Sequence, residues 1–224
     1  MASLKGFLGK LIFPELGVTK AEVITARFRR LTLAGASLTK LAPGDKIQVS
    51  LAEGTRTYTP FAFDAAKGSL DLLVYSHGDT PGAKWGRGVA EGDRVNVFGP
   101  RGSIALAALA EPVVVFGDET SFALARALQD LHASPRPLFE VSNIAESSEA
   151  LAALGLAADL VARAPGDAHL DELDAQLRAR TGSTLVLTGK AQSIQGLRGR
   201  LEARPAFSAQ KVKAYWAPGK RGLD

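Results

Sequence analysis

The chain has 224 residues, enough for one large or two small domains, and its 46% hydrophobic content supports a packed core. It holds no cysteine, which excludes disulfides, thiolate nucleophiles, cysteine-ligated zinc and protein-bound iron–sulfur clusters, and three histidines argue against a dedicated metal site. The net charge is +4 but uneven: after Pro205, Lys211, Lys213, Lys220 and Arg221 face only Asp224, which suits either an anionic ligand or a solvated tail.

At the N-terminus, Phe7, Leu8, Leu11, Ile12 and Phe13 are interrupted by Lys10 and followed by Pro14-Glu15 without a small-residue cleavage site. This reads as an amphipathic lead-in docked on the body of the protein. No run reaches the ~20 apolar residues of a membrane span, so no stable insertion is expected. Val18 to Leu33 is predicted as a strand from its β-branched and aromatic residues. Lys46–Leu51, Thr55–Phe63, Ser69–Ser76 and Arg94–Phe98 are further strands, with a short helix over Gly82–Val89. Closely spaced strands with one short helix predict a six-stranded antiparallel β-barrel over residues 1–108.

The pattern changes after Leu109. Pro112 to Gly117 is a continuous apolar run, the mark of a strand covered on both faces. A helix over Ser121–His132, strand Leu138–Ser142 and a helical stretch around Ser148–Leu154 follow. Strand Asp159–Ala162, helix Leu170–Arg180, strand Thr184–Leu187, helix Ser193–Ala203 and strand Val212–Trp216 complete the chain. Alternating strand and helix predict a five-stranded parallel α/β domain over residues 109–224.

The chemistry concentrates in two stretches. Arg56-Thr57-Tyr58-Thr59-Pro60 presents a guanidinium and a phenol on one strand face, with a hydroxyl at the strand end. His77-Gly78-Asp79-Thr80-Pro81-Gly82-Ala83-Lys84-Trp85 is a turn that opens a helix, and helix openings seat phosphates. Together they suit a flavin dinucleotide. Gly117-Asp118-Glu119-Thr120 ends the first parallel strand, where open α/β sheets bind ligands, but lacks the Gly-x-Gly-x-x-Gly fingerprint. Asp118 and Glu119 repel phosphate, which directs that edge toward a nicotinamide or ribose. A plain strand–turn–helix with Thr120 as cap explains the same residues.

A barrel followed by a parallel domain, with Arg56-Thr57-Tyr58-Thr59, resembles the ferredoxin-reductase architecture. The order Arg56–Thr59, His77–Trp85, Gly92-Asp93, Gly99-Pro100-Arg101-Gly102, Gly117–Thr120 and Tyr215-Trp216 more narrowly resembles the siderophore-interacting proteins, or ferric-siderophore reductases. The resemblance implies FAD. Arg56 would pair with its diphosphate; Tyr58 would stack on the ring system, and Thr59, with Pro60 beside it, would approach the hydride-accepting edge. His77 would bind near the diphosphate or adenine, and Pro81, Gly82, Ala83 and Lys84 would form the diphosphate turn. Asp118 and Thr120 would meet the nicotinamide or ribose, Tyr215 and Trp216 would lie near the flavin or nicotinamide pocket, and Lys211, Lys213 and Lys220 would receive an anionic ferric siderophore. The chain departs from the family at Pro60-Phe61, at the inverted Pro81-Gly82-Ala83, at Gly189-Lys190 and at Ala217.

The expectation is a cytoplasmic, monomeric FAD-dependent ferric-siderophore reductase in iron homeostasis, with NADPH or NADH, or a ferredoxin, as electron donor. Alternatives are a flavoprotein reductase for another small molecule, or a siderophore-binding module without turnover. A nucleic-acid role is not supported, because the one basic cluster lacks interleaved surface aromatics.

Overall fold

The computed structural model describes residues 14–132, 136–202 and 207–220. The apolar lead-in before Pro14 and Arg221 of the terminal basic cluster lie outside them. Strands β1 (Glu15–Val23), β2 (Phe28–Ala34), β3 (Lys46–Leu51), β4 (Gly54–Tyr58), β5 (Ala62–Asp64), β6 (Ser69–Tyr75) and β7 (Arg94–Arg101) form one antiparallel sheet in the order β4-β3-β7-β1-β2-β6-β5. Helix α1 (Pro81–Gly88) lies between β6 and β7.

Seven strands stand where six were expected, because two of the five segments read as strands each divide in two. The single strand expected over Val18–Leu33 is a hairpin. The Thr25 hydroxyl accepts the N–H groups of Arg27 and Phe28, and the Ile24 N–H donates to Phe28 O at 2.9 Å. A threonine turn of this kind leaves no Gly or Pro to mark it in the sequence. The strand expected over Thr55–Phe63 breaks after Tyr58, because Pro60 has no N–H for the ladder.

The second sheet is parallel and runs β10-β9-β8-β11-β12. Its strands are β8 (Val113–Gly117), β9 (Leu138–Val141), β10 (Asp159–Ala162), β11 (Thr184–Lys190) and β12 (Ala209–Trp216). The helices are α2 (Phe122–Gln129), α3 (Ile144–Ala153), α4 (Leu170–Arg178) and α5 (Ala191–Glu202). α3 starts four residues earlier than expected, because the Asn143 side chain caps it by accepting the Glu146 N–H at 3.0 Å. Strand order reverses between β8 and β11, so a crevice opens at their carboxyl ends, where such sheets bind ligands. Among the described residues no helix is long and apolar enough to cross a membrane.

The two sheets share a core. Phe28, Phe61, Leu73, Ile104 and Leu106 from the first half pack with Val115, Phe122, Phe139 and Leu151 from the second. Phe28 stacks on Phe122 at 5.7 Å between ring centres, and Phe122 meets Phe139 at 4.7 Å. Arg27 pairs with Glu146 across the same junction. Phe122→Ala opens a cavity in this shared core, and its cost is about 3–5 kcal/mol. Thermal unfolding of this variant is expected about 6–20 °C below wild type. The control Val23→Ala, at a side chain 67% exposed, shifts the midpoint by no more than about 2 °C.

Candidate functional site

The site is built where β4, α1 and the carboxyl ends of β8, β11 and β12 converge. Alternation puts Arg56 and Tyr58 on one face of β4. The Arg56 stem runs against the opening turn of α1: a Cβ added at Gly82 would lie 3.2–3.3 Å from Arg56 Cγ, Cδ and Nε. Glycine thus lets the guanidinium stem pass close to the helix start without a side chain pressing on it. Thr80 caps that helix, its hydroxyl accepting the Ala83 N–H at 3.2 Å, and Pro81 fills the first turn. The positive end of a helix beside a guanidinium is a cradle for an anion. Ala83 is buried under it, while Lys84 is exposed and pairs with Asp79 at 3.2 Å.

The far end of α1 is also fixed. Arg29 of β2 donates to the carbonyls of Gly86, Arg87 and Val89 at 2.8, 3.1 and 2.7 Å. The cradle is therefore anchored to the sheet at both ends of a two-turn helix. Tyr58 packs its ring on Trp85 at 5.6 Å, and burial pushes its phenol above the ordinary tyrosine value against the opposing charge of Arg56. Pro60 is buried behind Thr59.

The parallel sheet contributes a buried group of acids. Asp118 (0% exposed) and Glu119 (2% exposed) follow β8, and Glu140 (0% exposed) lies in β9. Arg163, just past β10, holds Glu119 at 2.6 Å and approaches Asp118 at 3.7 Å and Glu140 at 3.5 Å. Glu119 also accepts the Ser142 N–H at 2.6 Å, the Ser142 hydroxyl at 2.7 Å and the Tyr75 hydroxyl at 3.3 Å. Burial raises the Glu119 pKa, but Arg163 and the Ser142 donors outweigh it and hold the carboxyl below its ordinary value. Glu140 is satisfied separately, by His169 Nε2 and the Ser193 hydroxyl, each at 2.8 Å. The Ala164 N–H donates to His169 Nδ1 at 3.2 Å, so Nε2 carries the proton given to Glu140.

Asp118 is pushed up to about 6, first by burial and then by Glu119, against its donors and Arg163. Its oxygens are taken by the Thr120 N–H and hydroxyl and by the Trp216 indole N–H, the last at 2.6 Å. Gly189 (φ +90°) is the other requirement of this arrangement, since a Cβ there would lie 2.7 Å from the Asp118 carboxyl carbon. Trp216 in turn faces His77 at 6.1 Å, and His77 stacks on Tyr75 at 5.6 Å. Desolvation between these rings, with Arg163 adding and Glu119 opposing, lowers the His77 pKa, so the neutral imidazole prevails at pH 7. The Tyr215 hydroxyl is buried beside the Thr59 hydroxyl without a hydrogen bond of good geometry.

The predicted residues thus meet in contacts: Arg56 with Gly82, Thr59 with Tyr215, His77 with Trp216, and Asp118 with Thr120 and Trp216. Lys211 and Lys213 share one face of β12, while Ala214 packs against the core on the other and Val212 stays exposed. Lys220 lies beyond that face, in a turn where its N–H donates to Ala217 O at 3.2 Å. Sequence reasoning passed over Arg163, Glu140, Ser142 and Tyr75. Glu140 did leave a signal, as a lone acid in the apolar run Leu138-Phe139-Glu140-Val141. Nothing in the sequence tied Arg163 to it.

Residues 46–104 match the family model of the siderophore-interacting FAD-binding domain. No curated protein matches the chain. Among solved structures, a siderophore utilization protein from T. fusca is 26% identical with a TM-score of 0.72, the match covering 94% of this chain and 95% of that one. The siderophore-interacting protein SipS from Aeromonas hydrophila is 20% identical, also at 0.72, covering 93% and 92%. Phthalate dioxygenase reductase is 15% identical at 0.72, covering 93% of this chain and 70% of its own, and shows the shared ferredoxin-reductase-like fold.

The Asp118 carboxyl yields a pH test. Its pKa rises from 3.8 to about 6 on folding, so between those values the folded state holds the extra proton. Its contribution to stability therefore falls as pH rises from about 4 to about 6, by about 2–3 kcal/mol. Asp118→Asn removes this slope. Urea unfolding at pH 4.5 and 7.0 is expected to show the variant gaining on wild type at the higher pH, because loss of the Trp216 contact is common to both.

Proposed function

The chain is a relative of the siderophore-interacting proteins with an FAD-binding domain of their kind, and from that premise we propose an FAD-dependent reductase that releases iron from a ferric siderophore as Fe(II). The observation that carries the reading is the approach of Arg56 to the opening turn of α1 at Gly82, next to Thr59 and Tyr58. The donor set fits the cofactor: a guanidinium and helix amides for a diphosphate, an aromatic ring backed by Trp85, and a hydroxyl at strand height. An unpartnered buried hydroxyl, that of Tyr215, lies beside Thr59.

In this reading residues 1–108 hold FAD and residues 109–224 meet donor and acceptor. Bound FAD supplies the chemistry of taking a hydride and passing electrons on one at a time. Arg56, Gly82, Ala83 and Lys84 hold the diphosphate, with Pro81 presetting the turn. Tyr58, fixed by Trp85, gives a flat apolar wall, and Thr59 orients the reacting edge by a hydrogen bond. His77 and Trp216 close the mouth between the halves and keep water out. Lys211 and Lys213 offer two like charges on one strand face to an anionic chelate, with Lys220 nearby in sequence. Hard oxygen ligands hold Fe(II) less tightly than Fe(III), so reduction alone frees the metal.

One observation favours a protein electron carrier, such as a ferredoxin, over a pyridine nucleotide. Arg163 is committed to three carboxylates, and Lys190 at the end of β11 pairs with Asp167 at 3.2 Å. Among the described residues these two cations at the strand ends are therefore already paired rather than left for a dinucleotide's phosphates.

The purified protein is expected to be yellow, with FAD as the extracted chromophore, and to reduce a ferric siderophore in steady state with NADPH, NADH or reduced ferredoxin. A colourless preparation that binds no added FAD removes the reading. Activity on quinones or free flavins without activity on ferric chelates would assign another small-molecule acceptor instead. Arg56→Ala is expected to weaken FAD binding about 10- to 100-fold, the loss of one charge-assisted contact, measured by fluorescence titration. Lys211→Gln with Lys213→Gln is expected to raise KM for an anionic ferric siderophore several-fold while leaving FAD content unchanged.

A further inference from the structure

The Tyr215 hydroxyl is a polar group that the protein buries without giving it a partner. Buried donors are nearly always satisfied, so an orphan asks what completes it. The Thr59 hydroxyl lies close enough to influence it and arrives from the other half of the chain, just past the end of β4. Two further features aim Tyr215 there. The pairing of β12 with β11 slips at this point: Gly189 faces Ala214, the next residue Lys190 faces Trp216, and Tyr215 is the extra residue between them. A bulge of this kind re-aims side chains next to binding sites. Asp118 then ties Trp216 in place through the 2.6 Å indole bond, so the strand end that carries Tyr215 is held on its far side.

Burial pushes the phenol well above the ordinary tyrosine value, Thr59 opposes this, and the Asp118 charge adds to it. The group therefore stays protonated, a permanent donor. Two hydroxyls side by side, one from each half, match an edge that carries neighbouring acceptors.

We propose that Tyr215 is a flavin-binding residue whose hydroxyl donates to a carbonyl of the flavin's pyrimidine ring, next to the atoms oriented by Thr59. The inference rests on the FAD reading above. It adds a contact from the parallel-sheet half, so that the ring is gripped from both halves. Reduction moves electron density onto the ring carbonyls, and a donor there holds the reduced form more tightly than the oxidised form.

The test is Tyr215→Phe in the full chain, a change that removes only the unpartnered oxygen and keeps the ring. Four quantities are compared with wild type: FAD dissociation constant, flavin midpoint potential, visible spectrum, and thermal midpoint with and without added FAD. The expected result is about tenfold weaker FAD binding and a thermal midpoint without FAD that is unchanged or higher. The reduced form is expected to be about tenfold less favoured, which is about 30 mV more negative. Equal affinity and equal potential in the two proteins would overturn the proposal. A lower FAD-free midpoint with unchanged flavin properties would also overturn it, since the hydroxyl would then serve the protein itself. A shift to more positive potential would overturn the assignment to a carbonyl. A wild-type chain that binds no FAD would overturn the underlying reading as well, and is distinguished because it shows before any substitution is made.

Discussion

The contact between Glu119 and Arg163 holds the centre of this molecule together. A carboxylate 2% exposed survives inside a protein only if its lone pairs are filled. Arg163 fills two, the Ser142 N–H and hydroxyl fill others, and the Tyr75 hydroxyl reaches in from the antiparallel sheet. The consequence is geometric. Glu119 pins β9 and β10 to the end of β8, and it pins β6 to all three. Its neighbour Asp118 is thereby placed to receive Trp216, and Trp216 to face His77.

The shared aromatic core does the same work with apolar surface. Phe28, Phe122 and Phe139 run from one sheet to the other, so the halves cannot separate without exposing rings that are 0–1% accessible. Residues on either side of such a junction keep their spacing. That matters for a flat ligand, since stacking and edge contacts lose strength within a fraction of an ångström. The two walls differ in chemistry. The antiparallel side offers Arg56, helix amides and Thr59; among the described residues the parallel side is acidic, with Arg163 already engaged. An anion is favoured on the first side and disfavoured on the second, which under the proposed function would orient a ligand with one charged and one neutral end.

Much of this was legible without coordinates. The antiparallel-then-parallel order, the position of every parallel strand and the motif pair Arg56–Pro60 and His77–Trp85 follow from period-two alternation, from apolar runs and from Gly and Pro turns. Those signals are local, and local backbone preferences read directly. The Thr25 turn escaped because a threonine hydroxyl turning a chain looks like any β-branched strand residue. The split at Pro60 was visible in principle, since proline cannot serve an interior strand, but Ala62-Phe63-Asp64 continues the alternation and masks it.

By itself, then, the sequence determined the kinds of element, their order and which side chains share a strand or helix face, because these depend on residues a few positions apart. Only the tertiary structure decided that Glu140, Arg163 and Glu119 form one buried group, that Gly189 leaves room for the Asp118 carboxyl, and that Thr59 and Tyr215 meet. Those partners lie 21 to 156 residues apart; the acids and Arg163 are joined by the cost of burying charge unpaired, and the others by the path of the closed chain. That cost has no value until the chain has closed around them.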